Sequence, residues 1–182
     1  MGYMKERISL PEYQDLSPEM QAAFDAQVHA HGRMTNMKKT LTHSRVAFRS
    51  LMSWYELREE ILPFLGERLV NLFAHAISHE TDCLICSTFF RRILVESGEN
   101  PDQLVLSARE SLVVAYGRQL VKNPLQVSDD LFKQLQLEFR ESELVSITAF
   151  AGLMIATNVF NNALRIPLDE YLMPYKKEAH GK

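Results

Sequence analysis

The sequence predicts an all-α fold, a single helical bundle, on three observations. Apolar residues recur at three- and four-residue spacing through nearly every segment. Helix start and stop residues punctuate the chain at short intervals. No alternating run of four or more β-branched residues competes with that reading. The 182 residues, 46% hydrophobic and 24% charged, suffice for one domain with a full core and would be tight for two. The expected domain is 1–182, with about 1–16 and 172–182 peripheral or loose.

The elements follow in order. "LSPEMQAAFDAQVHAH" opens with Ser17 as N-cap and Pro18 at the first helical position, and it stops at Gly32. "SRVAFRSLMSWYELREEIL" places Val46, Phe48, Leu51, Trp54, Tyr55 and Leu57 at helical spacing, predicting one helix that ends before Pro63. A third helix is expected from about Gly66 to Ser78. A fourth is expected from about Asp82 to Glu96, closed by Gly98. Ser107-Ala-Arg-Glu110 reads as a capping box for a helix reaching Lys122, ahead of Pro124. Ser128 caps a short helix, and Glu141 to Leu164 forms the last long one before Pro167. Short connections imply antiparallel neighbours.

The run from Ser142 to Ala163 is nearly free of charge, but Glu143, Thr148, Asn158, Asn161 and Asn162 interrupt it. It reads as a buried helix and not as a membrane span. "GERLVNLFAHAI" (66–77) and "ESELVSITAFAG" (141–152) match at an acidic start, Leu-Val, and the small and apolar positions that follow. Two readings fit that echo, a duplicated helical unit or two buried helices of like composition.

The net charge of −3 gives no electrostatic reason to expect nucleic acid or an anionic membrane as partner. "MGYMKERISLPEY" has no apolar h-region, so no secretory signal is expected. Glu6 stands where myristoylation wants Ser or Thr. The expected location is the cytoplasm, where thiols stay reduced unless they cycle. Gly-x-Gly-x-x-Gly, a phosphate-binding loop and Gly-x-Ser-x-Gly do not occur, so no cofactor is expected.

The chemistry concentrates in "HETDCLICSTFF", which holds the only two cysteines, Cys83 and Cys86. At i and i+3 they share one helix face, close enough for a disulfide after modest adjustment. Zinc wants three or four ligands, and His75 and His79 ahead of the pair do not give a closed zinc spacing, so no metal is expected. Two buried, inert thiols and a redox pair remain as readings. The redox reading has a local basis. Thr81 and Asp82 stand where a helix begins, so free backbone N–H groups and the positive helix end favour a thiolate at Cys83. Glu80 and Asp82 oppose that if they stay charged, so a general base is the more useful role for one of them. Upstream, Glu67, Asn71, His75 and His79 precede Cys83 at four-residue steps, a row that could carry protons or simply face solvent.

The stretch "RLVNLFAHAISHETDCLICSTFFRRIL" resembles the helix, Cys-x-x-Cys, helix core of the carboxymuconolactone decarboxylase family, in its alkyl hydroperoxidase D-like branch. "GRMTNMKKTLTHSRVAFRSLMSWYELRE" is similar to the segment that precedes that core, and "ESELVSITAFAGLMIATNVFNNALRIPLDE" to the family's closing helix. The resemblance implies an all-helical fold that assembles as a homo-oligomer, a trimer or hexamer. It implies a thiol-dependent peroxidase or disulfide oxidoreductase acting on a small organic hydroperoxide. Cys86 would attack peroxide, Cys83 would resolve it, and a lipoyl protein or another dithiol would reduce the disulfide. The helix-dipole argument, by contrast, gives Cys83 the lower pKa.

The chain departs from the family's peroxidase pattern at three positions. Phe90 replaces the histidine four residues after the second cysteine, Asn71 stands at the glutamate position, and Ile85 replaces a histidine between the cysteines. Glu80, His79 and His75, or Glu67, are the candidate replacements in the proton relay. An apolar pocket near Phe89, Phe90, Met154 and Phe160 would suit an organic hydroperoxide. Two other functions compete. One is a non-redox decarboxylase or ring-cleavage hydrolase that holds a carboxylate with Arg91 and Arg92, or with Arg33 and His43. The other is a non-catalytic redox-sensing module.

Overall fold

The computed structural model describes residues 7–177. Its helices are α1 (Pro18–His31), α2 (Asn36–Leu41), α3 (Arg45–Met52), α4 (Trp54–Leu65), α5 (Glu67–Glu80), α6 (Leu84–Glu96), α7 (Ala108–Lys122), α8 (Asp129–Glu138) and α9 (Glu141–Leu164). Among the described residues there is no strand, and the all-α expectation holds.

Capping chemistry sets most boundaries. Ser17, Thr35, Ser44, Ser107 and Ser128 each accept a backbone N–H from the first turn of the helix they precede. The Ser107–Glu110 capping box is complete in both directions. At the far end of α1, Gly32 takes the left-handed conformation that ends the helix (φ 78°).

Helix α5 is the centre of the bundle, packed by α4, α6, α7 and α9. Its residues Leu69 to Ala74 and Ala76 to Ser78 are all buried, so it is enclosed nearly all round. Phe73 of α5 stacks on Phe150 of α9, with centroids 6.1 Å apart, and Trp54 of α4 lies 5.6 Å from the same Phe150. Helix α9 is long and apolar enough to cross a membrane, with a mean hydropathy of 1.6. Here it packs on α4, α5, α6, α7 and α8 and buries Asn158 and Asn161 within the bundle.

Helix α7 approaches α5 at Gly117. A Cβ there would lie 2.5 Å from Phe73 Cε2, 2.9 Å from Cδ2 and 3.1 Å from Ile77 Cγ1. Alanine normally stabilises a helix relative to glycine. At this position the clash reverses the sign, and Gly117→Ala should destabilise the fold by about 1–3 kcal/mol. Urea unfolding checks this, and unchanged or raised stability would refute the close packing.

Four expectations are corrected. The helix read through 44–62 is two helices that meet at Ser53, whose hydroxyl donates to the Ser50 carbonyl (2.6 Å) and competes with the backbone ladder at the junction of α3 and α4. Pro63 does not end α4. The helix runs on to Leu65, held by core burial of Ile61 and Leu65, and stops at Gly66 (φ 79°). Helix α6 starts at Leu84 and not at Asp82, whose φ of 51° is incompatible with a helix.

The fourth concerns the tail from 172, which is not loose over its described part. Glu170–Tyr175 forms a 3-10 helix against α6, with Leu172 fully buried. Tyr175 Oη donates to Glu96 (2.8 Å), and Lys177 pairs with Asp102 (2.9 Å). At the other end, Arg7 donates to the carbonyls of Ala163 and Leu164 at the end of α9. The rest of both expected peripheral segments, 1–6 and 178–182, lies outside the described residues.

Candidate active site

The site is built on the short connection between α5 and α6. Thr81 closes α5, its hydroxyl donating to the carbonyls of Ile77 and Ser78 at 3.0 and 3.1 Å. Asp82 then turns the chain through the left-handed region, which aspartate tolerates better than most residues. Cys83 is extended and occupies the N-cap position of α6, its N–H donating to Ser78 O at 3.0 Å. Cys86 follows in the first turn. Both thiols are free and buried, Cys83 fully and Cys86 with 8% exposure.

Three amides of α9 hold this corner. Asn158 Nδ2 donates to Thr81 Oγ1 (2.8 Å), and Asn162 Nδ2 donates to Thr81 O (2.9 Å). Asn161 Nδ2 lies 3.2 Å from Cys86 Sγ and 3.7 Å from Cys83 Sγ, placing one N–H donor between the two sulfurs. The Asn161 side-chain oxygen Oδ1 is buried and, among the described residues, has no hydrogen-bond partner.

The pair shares its protons unequally. The Cys83 thiol is lowered to about 7, chiefly by the hydrogen bond from Cys86. Burial opposes this, while the backbone N–H groups of Cys86 and Ile85 and the Asn161 amide add to the lowering. Those backbone groups act as the positive end of α6, without a full side-chain capping bond to Cys83. Cys86 is pushed well up by the bond it gives to Cys83 and by burial. The pair therefore loses a first proton readily and a second with difficulty.

Cys86 opens onto a cavity of about 540 Å³, within the range of about 300–1,000 Å³ usual for small-molecule sites. Ile85, Phe89, Phe90, Trp54 and Met154 supply apolar walls. Lys38, Tyr55, Asn71, Arg92, Asp169 and Tyr171 supply polar ones, with Arg33 at the exposed rim. Burial pushes the Tyr55 phenol up to about 12. Phe160, expected in this pocket, packs instead in a separate cluster with Met20, Leu41 and Phe48.

Among the described residues, none of the side chains expected as a relay hydrogen-bonds a sulfur. Helix α5 ends at Glu80, so the row from Glu67 to His79 does not continue along one helix to Cys83. His75 is half-buried, 6.2 Å from the His79 ring. Burial, reinforced by His79 and by Arg91 and Arg118, lowers it to about 4, so it is neutral near pH 7. His79 is exposed, and Glu80 pairs with Lys122 at 3.5 Å. Glu67 pairs with Arg58 and accepts from Asn71 Nδ2 at 3.3 Å, which connects it to the cavity wall. Among the described residues, the side chain from outside the cysteine motif that hydrogen-bonds the sulfurs is Asn161.

The alternative cationic residues divide. Arg33 and Arg92 line the cavity, whereas Arg91 pairs with Asp102 and His43 bonds Ser9 O. Among the described residues no group of three or more His, Cys, Asp or Glu could hold a metal ion. Sequence reasoning missed Asn161 and Lys38. Three asparagines within five residues of an otherwise apolar helix were the available signal for the first.

No protein-family model matches the sequence, and no curated protein matches it. Solved structures do match. The alkylhydroperoxidase AhpD core protein from Ralstonia eutropha JMP134, an uncharacterized peroxidase-related protein, superposes with a TM-score of 0.73 at 16% identity. That match covers 92% of this chain and 94% of the other. A peroxidase-related protein from Silicibacter sp. TM1040 gives 0.72 at 15% identity, covering 92% and 93%. The apo form of the debrominase Bmp8 gives 0.73 at 16% identity, covering 92% and 95%. The chain has the alkyl hydroperoxidase D-like fold, as the sequence resemblance implied.

Proposed function

We propose that this chain is a dithiol peroxidase that reduces small organic hydroperoxides. One observation carries the reading: the Cys83–Cys86 pair, held by Asn161, opens through Cys86 onto a largely apolar cavity. The Cys86 thiolate attacks the terminal oxygen of the hydroperoxide. The O–O bond breaks, and the alkoxide leaves and takes up a proton as the alcohol. Cys86 is then a sulfenic acid. Cys83 attacks that sulfur, the S–O bond breaks, and water departs as the disulfide forms. An external dithiol, free or lipoyl-borne, returns both thiols and is itself oxidised to a disulfide.

Within this reading Cys83 stores the negative charge and Cys86 makes the contact. A proton must pass from Cys86 to Cys83 across their hydrogen bond before attack. Glu67, through Asn71, is the relay candidate whose hydrogen bonds reach the cavity wall. Among the described residues, His75 packs near the His79 ring and Glu80 pairs with Lys122, and none of the three bonds a sulfur. The reading carries a cytoplasmic setting and a self-associated chain, a trimer or hexamer.

The test is stoichiometric oxidation. One equivalent of cumene hydroperoxide should convert the intact protein to an intramolecular Cys83–Cys86 disulfide by mass spectrometry. Dithiothreitol should then restore the dithiol and sustain turnover. Thiols that stay unlinked after the oxidant would refute the proposal.

A further inference from the structure

The Cys86 cavity has a charge that its own walls do not neutralise. Lys38 lines it and is only 5% exposed. Among the described residues its ammonium forms no ion pair, and it lies over the Tyr55 ring, 5.1 Å from the centroid. A buried ammonium without a counter-ion is costly to keep. Burial accordingly lowers it to about 8, and Asp169 only partly offsets that. Asp169 Oδ1 accepts the Asn36 N–H at 2.9 Å in the first turn of α2; its Oδ2 is buried and, among the described residues, bonds neither Lys38 nor any other donor.

Two guanidinium groups extend the positive field. Arg33 sits 4.0 Å over the Tyr171 ring and, among the described residues, has no ion pair. Arg92 lies 5.7 Å from the same ring centroid and pairs with Glu96 through Nη1, while its Nε–H is buried and, among the described residues, has no partner. Cations therefore outnumber carboxylates on the cavity lining. The remaining walls near Cys86 are apolar and aromatic.

We propose that the ligand of this cavity is an apolar molecule bearing one carboxylate, which pairs with Lys38 in the field of Arg33 and Arg92. For the reducible group, placed at Cys86, this rests on the peroxidase reading. The substrate class is then an organic acid hydroperoxide and not a neutral one. The pairing itself does not depend on the redox chemistry.

Trp54, the only tryptophan, lines the same cavity, so its fluorescence reports occupancy directly. The experiment titrates the reduced protein with decanoate and with decanol at pH 7. Decanoate should bind about tenfold or more tightly than decanol, the scale of a charge-assisted pair. Lys38→Met, which keeps the volume, should erase that preference, and Lys38→Arg should retain it. If Lys38→Met does not fold, the exposed Arg33→Gln should weaken decanoate several-fold and leave decanol unchanged. Equal binding of the two ligands by the wild type would overturn the proposal, as would a preference that survives Lys38→Met.

A parallel turnover assay compares linoleic acid hydroperoxide with its methyl ester. The acid should be reduced faster by about the same factor as the binding preference. Preferential decanoate binding without any hydroperoxide reduction would sink the peroxidase reading and uphold this one. Reduction of cumene hydroperoxide with no acid preference in either assay would do the reverse.

Discussion

Cys86→Ser should abolish hydroperoxide turnover, a loss of about a thousandfold or more, as expected when a nucleophile is removed. Cys83→Ser should also stop turnover, but after one chemical event. The difference follows from access. Cys86 is the sulfur on the cavity, while Cys83 is fully enclosed and cannot meet a peroxide oxygen. In Cys83→Ser the remaining hydroxyl can still donate to a Cys86 thiolate, so attack proceeds, more slowly, and stops at the sulfenic acid. Dimedone trapping with peptide mass spectrometry should therefore label Cys86 in Cys83→Ser and label nothing in Cys86→Ser. A dimedone adduct on Cys83 would invert the assignment and show that the lower-pKa sulfur reaches substrate by local opening.

The two sulfurs divide the requirements of a nucleophile, and this is why sequence reasoning met a conflict here. Helix polarity favours Cys83 as the charged thiol, and the lowering to about 7 agrees with it. The family resemblance assigns attack to Cys86, and the cavity agrees with that. The two are compatible under the proposed function, in which charge and access are properties of the pair.

The helices were legible because caps and apolar spacing are local. Ser17, Ser107 and Ser128 act within one turn of themselves. What escaped is non-local. Pro63 stays helical because Ile61 and Leu65 are anchored in the core. The strap at 170–175 is ordered by Leu172 and by Glu96, a distant residue in the sequence. Asn161 bonds sulfurs more than seventy positions away, and Lys38 acquires its role only when α2 folds over the cavity. No periodicity in the chain encodes those meetings.

Asn161→Leu should separate reactivity from stability. The amide N–H between the sulfurs favours their charged form, so its loss moves the first ionisation up toward the ordinary thiol range. The active species is the deprotonated one. Wild-type reactivity should thus rise with pH through about 7 and fall away below it. In Asn161→Leu that rise moves to higher pH, and reactivity at pH 7 drops roughly tenfold if the bond is worth the usual amount for a charged acceptor. Stability should change little. The substitution removes a side-chain amide oxygen that is buried with no partner among the described residues, and puts an apolar group of similar size in its place. Asn161→Asp should be worse in both respects, because a carboxylate there opposes the thiolate and has to be buried beside it. Iodoacetamide alkylation rates from pH 5 to 9, alongside urea unfolding, distinguish the variants. An unshifted alkylation profile in Asn161→Leu would mean that the Cys86 thiol and the α6 N–H groups hold the charge without the amide.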